Sequence, residues 1–439
     1  MFHLTVKKGS RWTNWSRNVT ASLDYFHYPE SIEDIQQLVD SCRVRGKTLR
    51  AIGAGHSFSK VACPDDEAVS LDKLRGLVSF DREAMEATFW AGTYLYEAAP
   101  ILSEIGMGFE NMGDIQQQTL AGAVSTGTHG TGIKFGSLSS QVVAWTYIDG
   151  NGILRHHRRA DDDLSKALSV SLGLFGVLVK LTFRTVPLYS LHVSSRKVNI
   201  NMAIAEWDES LYKNRHMEWF YFPGNENVQV KEMNDVPLVK QSKESKAIDF
   251  ISNGVVETAG FKLMSELCRL KPAYSRKITQ IAASAIPNSD KKGLYFEIFP
   301  SPRRVKFTET EYAIPLKRFQ ECIVEMHELL KAHPFYVHFP IECRTTAGED
   351  ALLSPTQGEE SAFIAFHMYK GMDNGPYFKW VNRIMKSYGG RPHFGKMNNL
   401  TYTEMVKLYP KIDLFKKLRK ESDPYGVFMT SYFREILGE

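Results

Sequence analysis

The residue pattern predicts an α+β fold in two domains, residues 1–187 and 188–439. Three observations carry this expectation. Strand-like and helix-like stretches alternate through the first part. Beyond residue 188, aromatic strand segments mix with helical ones, which suits an antiparallel sheet. A 439-residue chain with 43% hydrophobic and 24% charged residues is also long and apolar enough to bury two cores.

In chain order, Pro29 closes an aromatic segment that starts at Asp24, and Ser31 offers an N-cap. Ile32, Ile35, Leu38 and Val39 then recur at helical spacing before a β-like run at 49–52. A strand is expected at 86–91 and an amphipathic helix at 95–105. The runs 142–148 and 153–156 flank Asp149-Gly150-Asn151-Gly152, a hairpin signal, and 178–186 reads as a strand stopped by Pro187. In the second part, strands are expected at 219–222 and 294–299 and a helix at 316–330. The polar, aperiodic stretch 225–246 reads as a mobile loop.

Charge and cysteine usage exclude several function classes. The net charge is only +4, and the run Arg155-His156-His157-Arg158-Arg159 is answered at once by Asp161-Asp162-Asp163. It reads as a solvated surface loop, and no nucleic-acid partner is expected. The start, Met1 to Lys8, has no apolar segment after its basic pair, and no later stretch approaches a membrane span, so a cytoplasmic location is expected. Cys42, Cys63, Cys268, Cys322 and Cys343 are scattered without any CxxC pair, which speaks against a disulfide framework and against a metal site.

Two glycine-framed histidine segments carry the chemistry: Gly53-Ala54-Gly55-His56-Ser57-Phe58-Ser59, and Ala121-Gly122-Ala123-Val124-Ser125-Thr126-Gly127-Thr128-His129-Gly130-Thr131-Gly132. Glycines admit a ligand close to the backbone and turn N–H groups toward oxyanions, and the hydroxyls add donors. Two such loops suit a diphosphate, and hence a nucleotide-type cofactor. The GxGxxG fingerprint is incomplete, because Gly53-Ala54-Gly55 lacks its third glycine and no helix pattern follows; 127–132 also suits a loop better than a helix. No glycine-lysine-Ser/Thr triplet closes either segment, which excludes a Walker loop.

Taken together, the loops resemble the sugar-lactone oxidases of the vanillyl-alcohol-oxidase flavoprotein family, the gulonolactone and arabinonolactone oxidases, with alditol oxidases as near relatives. The resemblance rests on Gly55-His56-Ser57, on Gln118-Thr119-Leu120-Ala121-Gly122-Ala123, on Thr126 to Gly132, on Glu342-Cys343-Arg344, on His393-Phe394-Gly395-Lys396 and on Asp423-Pro424-Tyr425-Gly426-Val427-Phe428, all in the family's order. It implies a two-subdomain FAD-binding domain of the PCMH type with an α+β cap domain on an antiparallel sheet, the segment from about 391 to 439 returning to the flavin. FAD would contact both loops, residues 53–59 and Thr119, Ala121, Gly122, Ser125, Thr126, Thr128, His129 and Gly130. Gly113, Asp114, Val177 and His393 would complete its site. His56 takes the position that is bonded covalently to the flavin in histidyl-flavin members; taken alone, it suits a hydrogen-bonded tight turn better than a tether.

Glu342 and Arg344 lie two apart, so on a strand they share one face and can address one substrate. A lone Glu-x-Arg is as readily an exposed ion pair, but the apolar 337–341 before it favours a cavity. The resemblance gives Glu342 the role of orienting or deprotonating the reacting hydroxyl, Arg344 that of holding substrate oxygens, Lys396 that of adding positive charge near the flavin, and His367 a substrate-side place. Alditol oxidases carry a small hydroxyl residue where this chain has Tyr369 and a serine where it has Asp114, which favours a cyclic lactone over an open-chain polyol. The expected partners are therefore a sugar lactone or polyol and O2 or another electron acceptor. The rivals are a polyol oxidase, a flavin-free lactone-binding or lactone-hydrolysing protein, and a nicotinamide-dependent enolpyruvyl-reductase type of flavoenzyme.

Overall fold

The computed structural model describes residues 5–239, 256–285, 288–301, 305–333 and 335–439. Strands Thr5–Lys8, Tyr25–Tyr28, Glu67–Val69 and Leu49–Ala51 form a first sheet in that order, the last three mutually parallel. The Ile32–Arg45 helix covers it by burying Ile35, Leu38, Val39 and Cys42, the residues whose spacing predicts it. Ser31 and Asp34 form a reciprocal capping box, and Gly46 ends the helix in the left-handed conformation at φ 63°.

A second, antiparallel sheet runs Leu154–Arg158, Val142–Ile148, Val177–Arg184, Glu86–Trp90, Leu77–Asp81. The Asp149-Gly150 turn closes its hairpin as predicted, with Asp149 Oδ1 accepting the N–H groups of Asn151 and Ile153. The basic run is not a loop. Leu154–Arg158 is the exposed edge strand, and Arg159 folds inward, donating to the carbonyls of Val142 and Ser139 and lying over Trp145. The second glycine segment also departs from a pure loop, because Leu120–Ser125 forms a short helix with Thr119 as its N-cap. The Thr119 hydroxyl outweighs the helix-disfavouring Gly122 by accepting that residue's N–H.

The third sheet has eight antiparallel strands, in the order Asp290–Leu294, Ser190–Asn199, Asn227–Val236, His216–Tyr221, Ile341–Thr346, Ser361–Tyr369, Phe307–Pro315 and Arg391–Pro392. Helices Phe319–Ala332 and Gly375–Ser387 bury Phe319, Met326, Tyr377 and Val381 in the core on one of its faces. Two expectations fail here. The stretch read as a mobile loop contains the ten-residue strand Asn227–Val236, and the remainder of that expectation, 240–246, lies outside the described residues. Its polar residues misled, because Lys231 is on a strand face that meets buried charges rather than water. The 294–299 stretch is a strand end followed by the one-turn helix Tyr295–Ile298, since Tyr295 and Phe299 are buried at an i, i+4 spacing. Among the described residues, no helix is long and apolar enough to cross a membrane.

The C-terminal segment is bound back onto the first two sheets. Asp423 accepts the N–H groups of Val427 and Phe428 at 2.9 and 2.8 Å, Leu49 N–H donates to Val427 O, and Gly150 N–H donates to Ser422 O. A Cβ on Gly150 would fall 2.3 Å from Asp423 Oδ1, so glycine is required there by contact. Gly150→Ala is expected to lower stability by about 2–3 kcal/mol, read as a lower urea midpoint; an unchanged midpoint would mean that the Asp423 junction yields without cost.

Candidate active site

The first glycine segment leaves the buried Leu49–Ala51 strand, and Gly53, Ala54, Gly55, His56 and Ser57 form one wall of an open cleft. Gly55 turns at φ 70°, a conformation glycine adopts without strain. Thr119, Ala121, Gly122, Ser125 and Thr126 form the facing wall. The two segments meet so closely that a Cβ on Gly53 would lie 2.4 Å from Thr119 Oγ1. Sequence reasoning missed Arg50, Gly92, Leu172, Gly173 and Gly176, which complete the cleft, because no motif marks them.

Four of the nominated cofactor residues line neither this cleft nor the pocket that adjoins it. Phe58 packs among Trp15 and Phe307, and Ser59 donates to Phe394 O at 2.5 Å. Val177 points into the core, with Gly176 and Leu178 on either side of it reaching the cleft instead. Gly130 backs onto Met112, whose carbonyl oxygen would be 2.3 Å from an added Cβ.

A second pocket of about 480 Å³ adjoins the cleft, and His56, Ser57, Gln118 and Thr126 border both. His56 therefore stands at the junction. Its ring stacks on Trp15 at 5.4 Å, and burial, with Lys396 adding to it, pushes its pKa down to about 4. The imidazole is thus neutral at physiological pH, with a lone pair to offer.

The eight-stranded sheet supplies the far side of this pocket by simple alternation. Glu309 and Glu311 share a face of the Phe307–Pro315 strand, and Glu342 and Arg344 share a face of Ile341–Thr346. Register sets Glu309 opposite His367, and Glu311 and Glu342 on either side of Ala365. Arg344 reaches Glu342 at 2.5 Å, Asp114 at 3.0 Å and Glu218 at 3.4 Å, and Glu218 in turn holds Lys231 at 2.5 Å. Burial opposes the charge on Arg344, but Asp114, Glu342 and Glu218 together raise its pKa well above the usual guanidinium range.

Lys396 is half-buried, 2.6 Å from Glu309 and 3.9 Å from Glu311, which raise its pKa against the loss of solvent. Glu311 is driven well below the usual carboxylate range: burial opposes this, and Lys396 and then His129 outweigh it. His129 stacks on Phe363 at 3.6 Å, donates from Nδ1 to Gly130 O, and turns Nε2 to Glu311 at 3.4 Å. His393 accepts the Gly395 N–H, and burial pushes its pKa down to about 3.

Of the sequence-nominated residues, Gly113, Asp114, Thr128, His129, Arg344, His393 and Lys396 border the second pocket. Glu342 and His367 do not. Glu342 stands behind Arg344, and His367 faces Glu309 at 3.6 Å and Pro340 O. Tyr369, expected to shape the pocket by bulk, is turned away and donates its hydroxyl to Glu266. Glu218, Glu309 and Glu311 were missed, although Glu309-Thr310-Glu311 shows the same two-residue spacing that singles out Glu342 and Arg344.

Comparison with known proteins bears on these pockets. The family profile described as D-arabinono-1,4-lactone oxidase matches residues 181–436, and that of an FAD binding domain matches residues 23–157. L-gulono-1,4-lactone dehydrogenase of Mycobacterium tuberculosis is 31% identical over 427 residues, covering 97% of this chain and 99% of the relative. L-gulonolactone oxidase of Mus musculus is 30% identical, covering 98% of both. D-arabinono-1,4-lactone oxidase of Yarrowia lipolytica is 31% identical, covering 97% of both. The crystal structure of cholesterol oxidase from B. sterolicum superposes with a TM-score of 0.83 over 99% of this chain and 97% of that one at 16% identity, which shows a shared fold.

Glu309 is the nearest support of the charge on Lys396, so Glu309→Gln lowers the lysine pKa. The alkaline limb of the pH dependence of kcat/KM is expected to move to lower pH in this variant. A profile that stays in place would show that Glu309 does not set the charge of Lys396.

Proposed function

Because the chain belongs to the D-arabinono-1,4-lactone oxidase family, we propose that it is an FAD-dependent enzyme that oxidises an aldono-1,4-lactone of the gulono, galactono or arabinono type at the C2 hydroxyl. The product is a 2-keto lactone, which enolises to an ascorbate-type enediol, and O2 is the proposed final electron acceptor. One observation carries the reading: a neutral, half-buried His56 at the junction between a glycine-walled cleft and a pocket lined by Arg344 and Lys396.

The cleft fits FAD. Glycine, alanine, serine and threonine make up much of its two facing walls, and the backbone at Gly53 approaches Thr119 so closely that a side chain there would collide with it. Gly53 to Ser57 and Thr119 to Thr126 would hold the cofactor, which supplies the acceptor for the substrate hydride. His56, uncharged and backed by Trp15, would tether the flavin through a ring nitrogen.

In the second pocket Arg344 binds the lactone oxygens, and Glu342, Glu218 and Asp114 fix its plane. Lys396, held cationic by Glu309 and Glu311, stabilises negative charge that develops during turnover. The carboxylates that border the pocket, Asp114 and Glu311, are the ones placed to receive a hydroxyl proton, while Glu342 positions Arg344. Five carboxylates face three fixed cations around these groups, so the pocket suits a neutral lactone better than the ring-opened acid.

Acid denaturation followed by gel electrophoresis is expected to leave flavin fluorescence on the wild-type band and none on His56→Ala. Flavin released from the wild-type protein would refute the tether and leave the flavoenzyme intact. Steady-state assays should give higher kcat/KM for gulono- or arabinono-lactone than for xylitol or sorbitol, with H2O2 formed in step with turnover. A preference for the polyols would overturn the lactone assignment.

A further inference from the structure

Arg50 is a buried cation that the protein itself leaves uncompensated. It lies on the Leu49–Ala51 strand three residues before Gly53, is 5% exposed, and borders the glycine-walled cleft. Its guanidinium crosses from the first sheet to the turn between the Asp163–Ser169 helix and the Val177–Arg184 strand of the second sheet, donating from Nη2 to Leu172 O and from Nη1 to Gly173 O at 3.4 Å. Its far side lies over the Phe433 ring at 4.7 Å. Nε has no hydrogen-bond partner, and no carboxylate among the described residues comes within ion-pair distance of it. Burial alone pushes its pKa down, to about 10, which still leaves it charged at neutral pH.

Elsewhere this chain treats cations withdrawn from solvent differently. Arg344 has three carboxylates around it, and Lys396 has two. A guanidinium surrounded by carbonyls and an aromatic ring has its geometry fixed but its charge unanswered, and such a group is unfavourable unless an anion joins it. The turn it grips is itself unusual: Leu172 holds φ 53°, the left-handed region that a branched side chain disfavours, and Gly173 follows at φ 68°. A Cβ on Gly173 would come 3.2 Å from Nη2, so that glycine leaves room for the guanidinium.

We propose that Arg50 binds the ADP half of FAD, meeting its diphosphate charge with the unspent N–H groups while its carbonyl contacts hold the Leu172–Gly173 turn as the wall of that subsite. The assignment rests on the cleft being the FAD site. The diphosphate is the anionic part of the cofactor, and the guanidinium fork is suited to phosphate oxygens. Arg50 is therefore a cofactor-binding residue outside both glycine segments, and it acts on retention of the cofactor rather than on the hydride step.

The test uses the full chain in a His56→Ala background, so that flavin binds reversibly. Dissociation constants for FAD and for riboflavin, which lacks the ADP half, are measured by flavin fluorescence quenching with Arg50 intact and in Arg50→Met and Arg50→Lys. The expected result is an FAD affinity lower by about 10- to 100-fold in Arg50→Met, with riboflavin affinity unchanged and circular dichroism of the flavin-free protein intact. Arg50→Lys, which keeps the charge but loses the fork, should weaken FAD binding by a smaller factor, and it serves alone if Arg50→Met fails to fold. FAD binding equal to that of the Arg50 protein, or an equal loss for FAD and riboflavin, would overturn the proposal. Failure of the His56→Ala and wild-type proteins to bind FAD at all would instead overturn the FAD reading of the cleft.

Discussion

The buried guanidinium of Arg344 is the interaction on which the arrangement of the substrate side depends. It sits on a central strand of the eight-stranded sheet, yet one of its three carboxylate partners, Asp114, comes from the loop that precedes the second glycine segment. The ion pair therefore joins the sheet to the loop before the second glycine segment at the wall of the second pocket. Removing any one partner leaves the others closer to balance, but removing the arginine takes a shared counter-charge from three buried or partly buried carboxylates at once, a loss of the order of 3–5 kcal/mol. That asymmetry makes the arginine the fixed point and the carboxylates its adjustable surroundings.

A second constraint operates on the cofactor side through closeness rather than charge. Gly53 against Thr119, Gly130 against Met112 and Gly150 against Asp423 are contacts at which any side chain would collide with a neighbour. Of these, the Gly53–Thr119 approach brings the two walls of the cleft together, and the C-terminal segment is tied to the first sheet by the Leu49 N–H bond to Val427 O. The Asp423 carboxylate, spent on its own backbone, shapes that closure and stays out of the chemistry.

Much of this was legible in the sequence because the signals are local. The Ser31 capping box, the Asp149-Gly150 hairpin and the alternation that puts Glu342 and Arg344 on one face all follow from spacing alone. What escaped was set by the sheet. Asn227–Val236 looks like a loop because Gln229, Lys231 and Glu232 read as solvent-facing, whereas Lys231 is committed to the buried Glu218 across the strand pair. Tyr295–Ile298 looks like a strand because aromatic composition imitates one. Glu342 was nominated for the pocket and Glu311 was not, although both flank Ala365; which of them reaches the cavity depends on Arg344 standing in front of one and not the other, and no single-sequence pattern encodes that.

Arg344 and Arg50 show how differently the two halves of the site are prepared. Around Arg344 the protein supplies more negative charge than the cation needs, so the geometry is complete before any ligand arrives, and substrate meets a preorganised field. Around Arg50 it supplies only carbonyl dipoles and a ring face, which orient the guanidinium without neutralising it. A charge left open in a buried cleft disfavours the empty state and favours an anion in place, so under the proposed function the same residue type would serve catalysis at one pocket and cofactor retention at the other. The difference lies in whether the fold brings carboxylates to the arginine: adjacent strands do so at Arg344, and the Leu172–Gly173 turn does not at Arg50. An enzyme arranged in this way holds its substrate-side electrostatics constant and lets cofactor binding complete the rest of the structure.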